Sequence, residues 1–234
     1  GKQFVFIMDE WDSMFHNKLF SKDDQAKFLQ FLRLLLKSKG YVELAYMTGI
    51  LPIAKYSSGS ELNMFVEYNM ATSIKYSEYF GFTEEETAEL YERYVSLEET
   101  PHFDFESLRE WYNGYQTANG DRIFNPRAVI CALSSNQIQS YWTGSGPYDE
   151  IFYYIKNNIA EVREDLVRMV AGEAISVRIQ NYAAVSMDLE TKDEIFSAMV
   201  VYGFLSYYDG RVSIPNRELM QKFEDVLTNK NMGY

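Results

Sequence analysis

The sequence has a single cysteine, Cys131, and two histidines, His16 and His102, among 234 residues. One thiol closes no internal disulfide, which fits a reducing compartment and points to a cytoplasmic protein. The same scarcity leaves too few soft ligands for a structural zinc site. Long apolar runs are missing too. The run Phe4–Met8 is followed at once by Asp9 and Glu10. It falls far short of the roughly 20 residues a membrane helix needs, and its flanks are not those of a signal peptide. No membrane partner is expected. The sequence has no internal repeat and no low-complexity tract. With 47% apolar and 24% charged residues it reads as an ordinary globular chain, not a disordered or fibrous one.

Positive charge is also in short supply. There are 22 bases against 34 acids, a net charge of −12. Residues 76–112 alone hold eleven acids against Arg93 and Arg109, so most of the excess lies in one segment. An acidic chain repels phosphate backbones, so broad non-specific nucleic-acid binding is disfavoured, leaving a local basic face or other domains as the routes to it.

What is present begins with a strand. Phe4–Met8 is a continuous apolar run of β-preferring residues, the mark of a strand covered on both faces. Val42–Met47 repeats the pattern. Between them, Ser21 can cap a helix with Asp24 three residues on, and Gly40 can close it. Phe28, Leu29, Leu32, Leu35 and Leu36 fall on one stripe of that helix. The result is a β-α-β unit with a parallel pair. Two parallel strands do not make a viable sheet, so more must come from later residues, a missing N-terminal segment or another chain. The chain therefore reads as a fragment of a longer α/β protein.

Further along, a loop follows at Gly49–Gly59, and Thr83 with Glu86 forms a capping box for a helix running towards Tyr94. From Thr100 helices dominate. Phe105–Tyr112 is a short helix stopped by Asn113-Gly114, and Asn125 with Pro126 starts another through Leu133. Tyr148–Gly172 reads as two helices broken near Asn157-Asn158, and Asp193–Tyr202 as a helix closed by Gly203. Asp209-Gly210 joins Phe204–Tyr208 to Arg211–Ile214 as a hairpin, and Asn216 caps a last helix to about Leu227. Helix, hairpin and helix together resemble part of a winged-helix unit. The expected organisation is an α/β part over residues 1–99 and a mainly helical part over residues 100–234.

The string FVFIMDEWD, residues 4–12, carries the chemistry. A buried strand ending in Asp-Glu is what a Walker B element needs. Asp9 would hold a nucleotide's magnesium, and Glu10 would orient the water that attacks the terminal phosphate. Acids that merely solvate a strand end are the competing explanation. The second strand ends Met47-Thr48-Gly49, which puts a hydroxyl beside those acids if the strands are neighbours. ATPases of the AAA type place a polar sensor residue there. No G-x-x-x-x-G-K-[ST] loop occurs. The backbone donors and lysine that cradle phosphates are thus missing, and this chain alone is expected to hold ATP weakly or not at all.

The strings FVFIMDEWD, AYMTGILPIAKY, ELNMF, YFGFTEEE, WYNGY, FNPRAV, YWTGSG and IPNRE occur in that order. In this the chain resembles a bacterial family of predicted AAA-ATPase-like proteins over about residues 4–224. The resemblance implies the C-terminal part of a P-loop NTPase sheet, beginning at the Walker B strand, followed by a helical lid with a small hairpin. It also implies an upstream P-loop of the form R-R-F-G-K-[ST] and often a downstream nuclease domain resembling restriction endonucleases, both outside this chain. ATP and Mg2+ are the implied cofactors of the intact protein. Asp9 and Glu10 match the Walker B acids, Asp12 a further acid of that string, and Thr48 the sensor strand's end. Lys55 and Asn63 would approach the nucleotide or fix the loop. Arg127 is either a phosphate-facing lid arginine or a surface residue. Trp111, Tyr112 and Tyr115 are expected to pack the lid. The chain departs from the family at His16, where relatives carry arginine.

The expected function is therefore part of an ATPase, catalytic only in the intact protein. The alternative is a docking module for a protein or DNA, built on residues 100–234, with a vestigial nucleotide site.

Overall fold

A computed structural model describes residues 1–16, 19–53, 62–141, 160–179, 189 and 191–228. Among them are eight α-helices and seven strands in three small sheets, a mixed α/β fold. No helix among the described residues is long and apolar enough to cross a membrane. The chain divides into two units, Gly1–Glu67 and Tyr68–Tyr234.

In the first unit, strand β1 (Phe4–Met8) and strand β2 (Val42–Met47) pair in parallel, with Val5 opposite Leu44 and Ile7 opposite Tyr46. Helix α1 (Ser13–His16) and helix α2 (Lys22–Leu36) lie between them in sequence. Ser21 caps α2 as expected. Its hydroxyl accepts the Asp24 backbone N–H at 3.2 Å, and the Asp24 carboxylate accepts the Ser21 N–H at 3.0 Å. Leu29, Leu32 and Leu36 of the expected stripe are buried. The helix ends earlier than Gly40 suggests, at Lys37, because Ser38 already turns left-handed with φ 56°.

The expectation of a strand covered on both faces is not met within this unit. Opposed residues of a parallel pair share a face, and Val5, Ile7, Leu44 and Tyr46 are each more than half exposed, Ile7 at 77%. Among the described residues no later strand joins this sheet.

The second unit starts with a 3-10 turn, Ser77–Phe80, and helix α3 (Glu84–Leu97), closed at its start by the Thr83–Glu86 capping box. Helix α4 (Phe105–Tyr112) comes next, capped by Asp104. The boundary expected near residue 100 thus falls inside this unit. Leu90 and Tyr91 of α3 pack against a core of Leu108, Tyr112, Phe124 and Val129, and that burial ties α3 to the later helices and strands of the unit.

Asn113-Gly114 ends α4 but begins strand β3 (Asn113–Gln116), antiparallel to β4 (Arg122–Phe124). This hairpin departs from the mainly helical expectation. Asn and Gly are poor strand formers, and tertiary pairing overrides them here. Gly114 has φ 123°, and a Cβ there would stand 1.8 Å from the Pro215 carbonyl oxygen, so only glycine fits.

Helix α5 (Pro126–Ser135) is capped by Asn125 with Pro126 in its first turn. Helix α6 (Ala160–Val170) accounts for the described part of the expected Tyr148–Gly172 helices; residues 148–159 lie outside the described residues. Helix α7 (Lys192–Val201) precedes strands β6 (Ser206–Tyr208) and β7 (Arg211–Ser213), joined at Asp209-Gly210 with φ 48° and 73°. Two left-handed residues in succession are what a tight hairpin of this twist requires. A strand that the sequence does not announce, β5 (Ile175–Ser176), pairs with β7 to make three. Helix α8 (Arg217–Thr228) closes the described fold, with the Asn216 side chain accepting the Leu219 N–H. Leu166, Phe196, Met199, Phe204, Val212 and Phe223 form the second core of this unit.

Candidate functional site

Two strand ends build the site in the first unit. After Met8 the chain turns sharply, with Glu10 left-handed at φ 49°. That conformation is uncommon for glutamate and costs on the order of 1 kcal/mol. The turn is held from both sides. The Glu10 N–H donates to Oδ1 of Asp9 at 3.0 Å, and the Ser13 N–H donates to the Glu10 carbonyl at 3.0 Å. The parallel ladder runs on past the strands. The Thr48 N–H donates to the Met8 carbonyl at 2.9 Å, and the Trp11 N–H to the Thr48 carbonyl at 3.0 Å.

This ladder places the Thr48 hydroxyl on the first acid, where it donates to Oδ1 of Asp9. Strand adjacency thus brings together the two residues that the sequence connects only conditionally. Asp9 and Glu10 are exposed and Thr48 is half-buried. The two hydrogen bonds to the Asp9 carboxylate fall on the same oxygen. Such a carboxylate suits Mg2+, which commonly takes one or two carboxylates together with phosphate and water. Among the described residues no cluster of three or more metal-binding side chains occurs.

Asp12 is placed differently. Its side chain is buried, and its Oδ2 accepts the backbone N–H groups of Ile50 at 2.9 Å and Leu51 at 2.7 Å. Gly49 lies directly against it. A Cβ at Gly49 would stand 2.6 Å from Cδ1 of Trp11 and 2.7 Å from Oδ1 of Asp12. Trp11 is itself buried and tilts against Phe15 at 5.5 Å. The packing of Trp11 and Gly49 is a feature of the site that the sequence reading does not single out. A glycine directly after a strand-end threonine is its only signal.

Lys55 lies outside the described residues. Asn63 is exposed, and its side-chain oxygen accepts from Nζ of Lys37 at 3.0 Å, just past the end of α2. Arg127 is an exposed residue in the first turn of α5, in the second unit. The aromatic expectation fares better. Tyr112 and Tyr115 are buried, donating to the carbonyls of Gln139 at 2.8 Å and Gly203 at 2.9 Å. Burial raises the Tyr112 phenol well above its ordinary pKa, which keeps it a donor. Trp111 is half-buried beside it.

The chain is similar to an uncharacterized protein in the vnfD 5′ region of Azotobacter chroococcum mcd 1, at 25% identity over 150 residues. The match covers 62% of this chain and 28% of that protein, so the chain spans well under a third of that relative's length. No protein-family model and no solved structure matches the chain.

Proposed function

We propose that this chain carries the Walker B acids, the sensor residue and the lid of an AAA-type ATPase. The hydrogen bond from Thr48 to Asp9 across two parallel strand ends carries this reading, with Glu10 exposed beside it. In a nucleotide-hydrolysing sheet, ligands sit at the carboxyl ends of the strands, which is where these three residues stand. Asp9 would bind the cation, and Mg2+ when bound would neutralise charge on the phosphates. Glu10 would accept a proton from the attacking water. Thr48 would fix the orientation of the Asp9 carboxylate and leave its second oxygen for the cation.

The phosphate-cradling loop would come from an upstream segment or another chain, which would also cover the bare face of β1 and β2. ATP is accordingly not expected to stay on this chain alone. The second unit would serve as the lid, with Arg127 as its candidate phosphate contact, and Asn63 would fix the loop after β2. The resemblance to a predicted AAA-ATPase-like family and a cytoplasmic location belong to the same reading.

No observation favours the docking-module alternative as strongly. Arg217, the basic residue at the start of α8, pairs with Glu110 at 2.9 Å and lies over the Trp111 ring, so the fold already employs it. Mg2+ titration of ATP hydrolysis by the polypeptide extended through its P-loop tests the proposal. Asp9→Asn should raise the Mg2+ concentration for half-maximal rate about 10–100-fold. An unchanged Mg2+ requirement would rule Asp9 out as the cation's carboxylate.

A further inference from the structure

Four consecutive positions after β2 are held, one after another, by the turn after β1. The Thr48 hydroxyl is on Asp9, and the Thr48 carbonyl accepts from the Trp11 N–H. Gly49 fits against Trp11 and Asp12 with no room for a Cβ, and the N–H groups of Ile50 and Leu51 both end on one oxygen of Asp12. Asp12 is the last anchor of this series and the only carboxylate of the turn that is buried, at 2% exposure. A buried carboxylate accepting two backbone donors is well satisfied where it is, and turning it out to meet a ligand would strand both donors.

We infer that Asp12 is a positioning residue, whose carboxylate fixes the backbone of residues 48–51 so that the Thr48 hydroxyl stays on Asp9. It is not a ligand of nucleotide or cation. The effect on hydrolysis rests on the ATPase reading above, but the positioning itself does not. Gly49 belongs to the same device. Its missing side chain lets the second strand end approach close enough for the Asp12 carboxylate to reach the next two N–H groups.

The test compares Asp12→Asn and Asp12→Ala with the parent, first by amide hydrogen exchange on this chain. In Asp12→Ala the Ile50 and Leu51 amides should exchange about 10–100-fold faster, while amides of α2 such as Leu32 keep the parent rate. Asp12→Asn retains an acceptor oxygen and should accelerate the same two amides only a few-fold, about threefold. If Asp12→Ala does not fold, the localised change in Asp12→Asn decides. Parent-like exchange at Ile50 and Leu51 in the folded variants would overturn the inference. In the ATP-hydrolysing polypeptide, Asp12→Ala should lower kcat about tenfold or more with an unchanged KM for ATP, and Asp12→Asn should restore most of the rate. An equal rise in KM for ATP or in the Mg2+ requirement in both variants would instead make Asp12 a ligand, which also overturns the inference. Absence of hydrolysis in the parent would count against the ATPase reading alone, because the exchange experiment still decides the role of Asp12.

Discussion

The Thr48 hydroxyl donates to the same Asp9 oxygen that accepts the Glu10 backbone N–H, so one atom ties the second strand's end to the turn leaving the first. A hydroxyl in this position does two things. It fixes the carboxylate's rotation, and it holds the left-handed turn that presents Glu10.

Removing that hydroxyl should therefore loosen both. Thr48→Val keeps the shape of the side chain and loses the donor, and should cost about 1 kcal/mol in urea denaturation. Thr48→Ser keeps the donor and should recover most of that loss. Equal stability of Thr48→Val and the parent would mean that the bond to Asp9 contributes nothing to the fold.

The bare face of the first sheet gives a second prediction. Ile7 is 77% exposed, so Ile7→Lys on this chain should change stability by no more than about 0.5 kcal/mol. In a longer polypeptide whose additional segment covers that face, the same change would bury an unpaired charge and cost more than about 2 kcal/mol. Equal small effects in both proteins would show that the face of Val5, Ile7, Leu44 and Tyr46 stays uncovered.

How legible the site was depends on which kind of interaction formed it. The strands β1 and β2, the capping boxes at Ser21 and Thr83, and the hairpin at Asp209-Gly210 are local signals, written in neighbouring residues. The juxtaposition of Asp9 and Thr48 follows once two strands that each read clearly as apolar runs pair in parallel, with Met8 opposite Met47. By contrast, β3–β4 includes Asn113 and Gly114, poor strand formers that are held extended by pairing with β4, and Gly114 lies where Pro215, a hundred residues later, leaves no room for a side chain. The two-residue strand β5 is too short for any periodicity. In sequence Asp12 reads as a further acid of the string with Asp9 and Glu10, and only the path of residues 49–51 reveals that it is buried. The packing of Tyr91 against Phe103 and Phe105 likewise has no local signature.

Gly114 supplies a third prediction. An added methyl would meet the Pro215 carbonyl oxygen at 1.8 Å, on a backbone with φ 123°. Neither side can yield without moving main chain, so Gly114→Ala should destabilise the protein by about 3 kcal/mol or more in thermal or urea unfolding. A variant within about 0.5 kcal/mol of the parent would contradict this close approach.

Two capping acids make stability depend on pH at the acid end. Hydrogen bonds from the Ser21 side chain and backbone hold Asp24 below its ordinary pKa, and those from Ser107 do the same for Asp104. A depressed folded pKa means that the unfolded chain takes up the proton first. The stabilisation is thus complete above the unfolded value of about 4 and is lost as pH falls through the lower folded values. Replacing both with asparagine, which can still accept those hydrogen bonds but carries no charge, should lower stability at neutral pH and flatten its decline below about pH 4. An acid limb as steep as the parent's would assign the decline to other carboxylates.

The most direct measurement is steady-state ATP hydrolysis by the polypeptide extended through its P-loop, parent against Glu10→Gln. Glutamine keeps the size and polarity of the side chain but cannot accept the proton of the attacking water. Turnover should fall about 10²–10⁴-fold while nucleotide binding persists. Hydrolysis by Glu10→Gln at the parent's rate would contradict the assignment of Asp9, Glu10 and Thr48 as the working site of an ATPase.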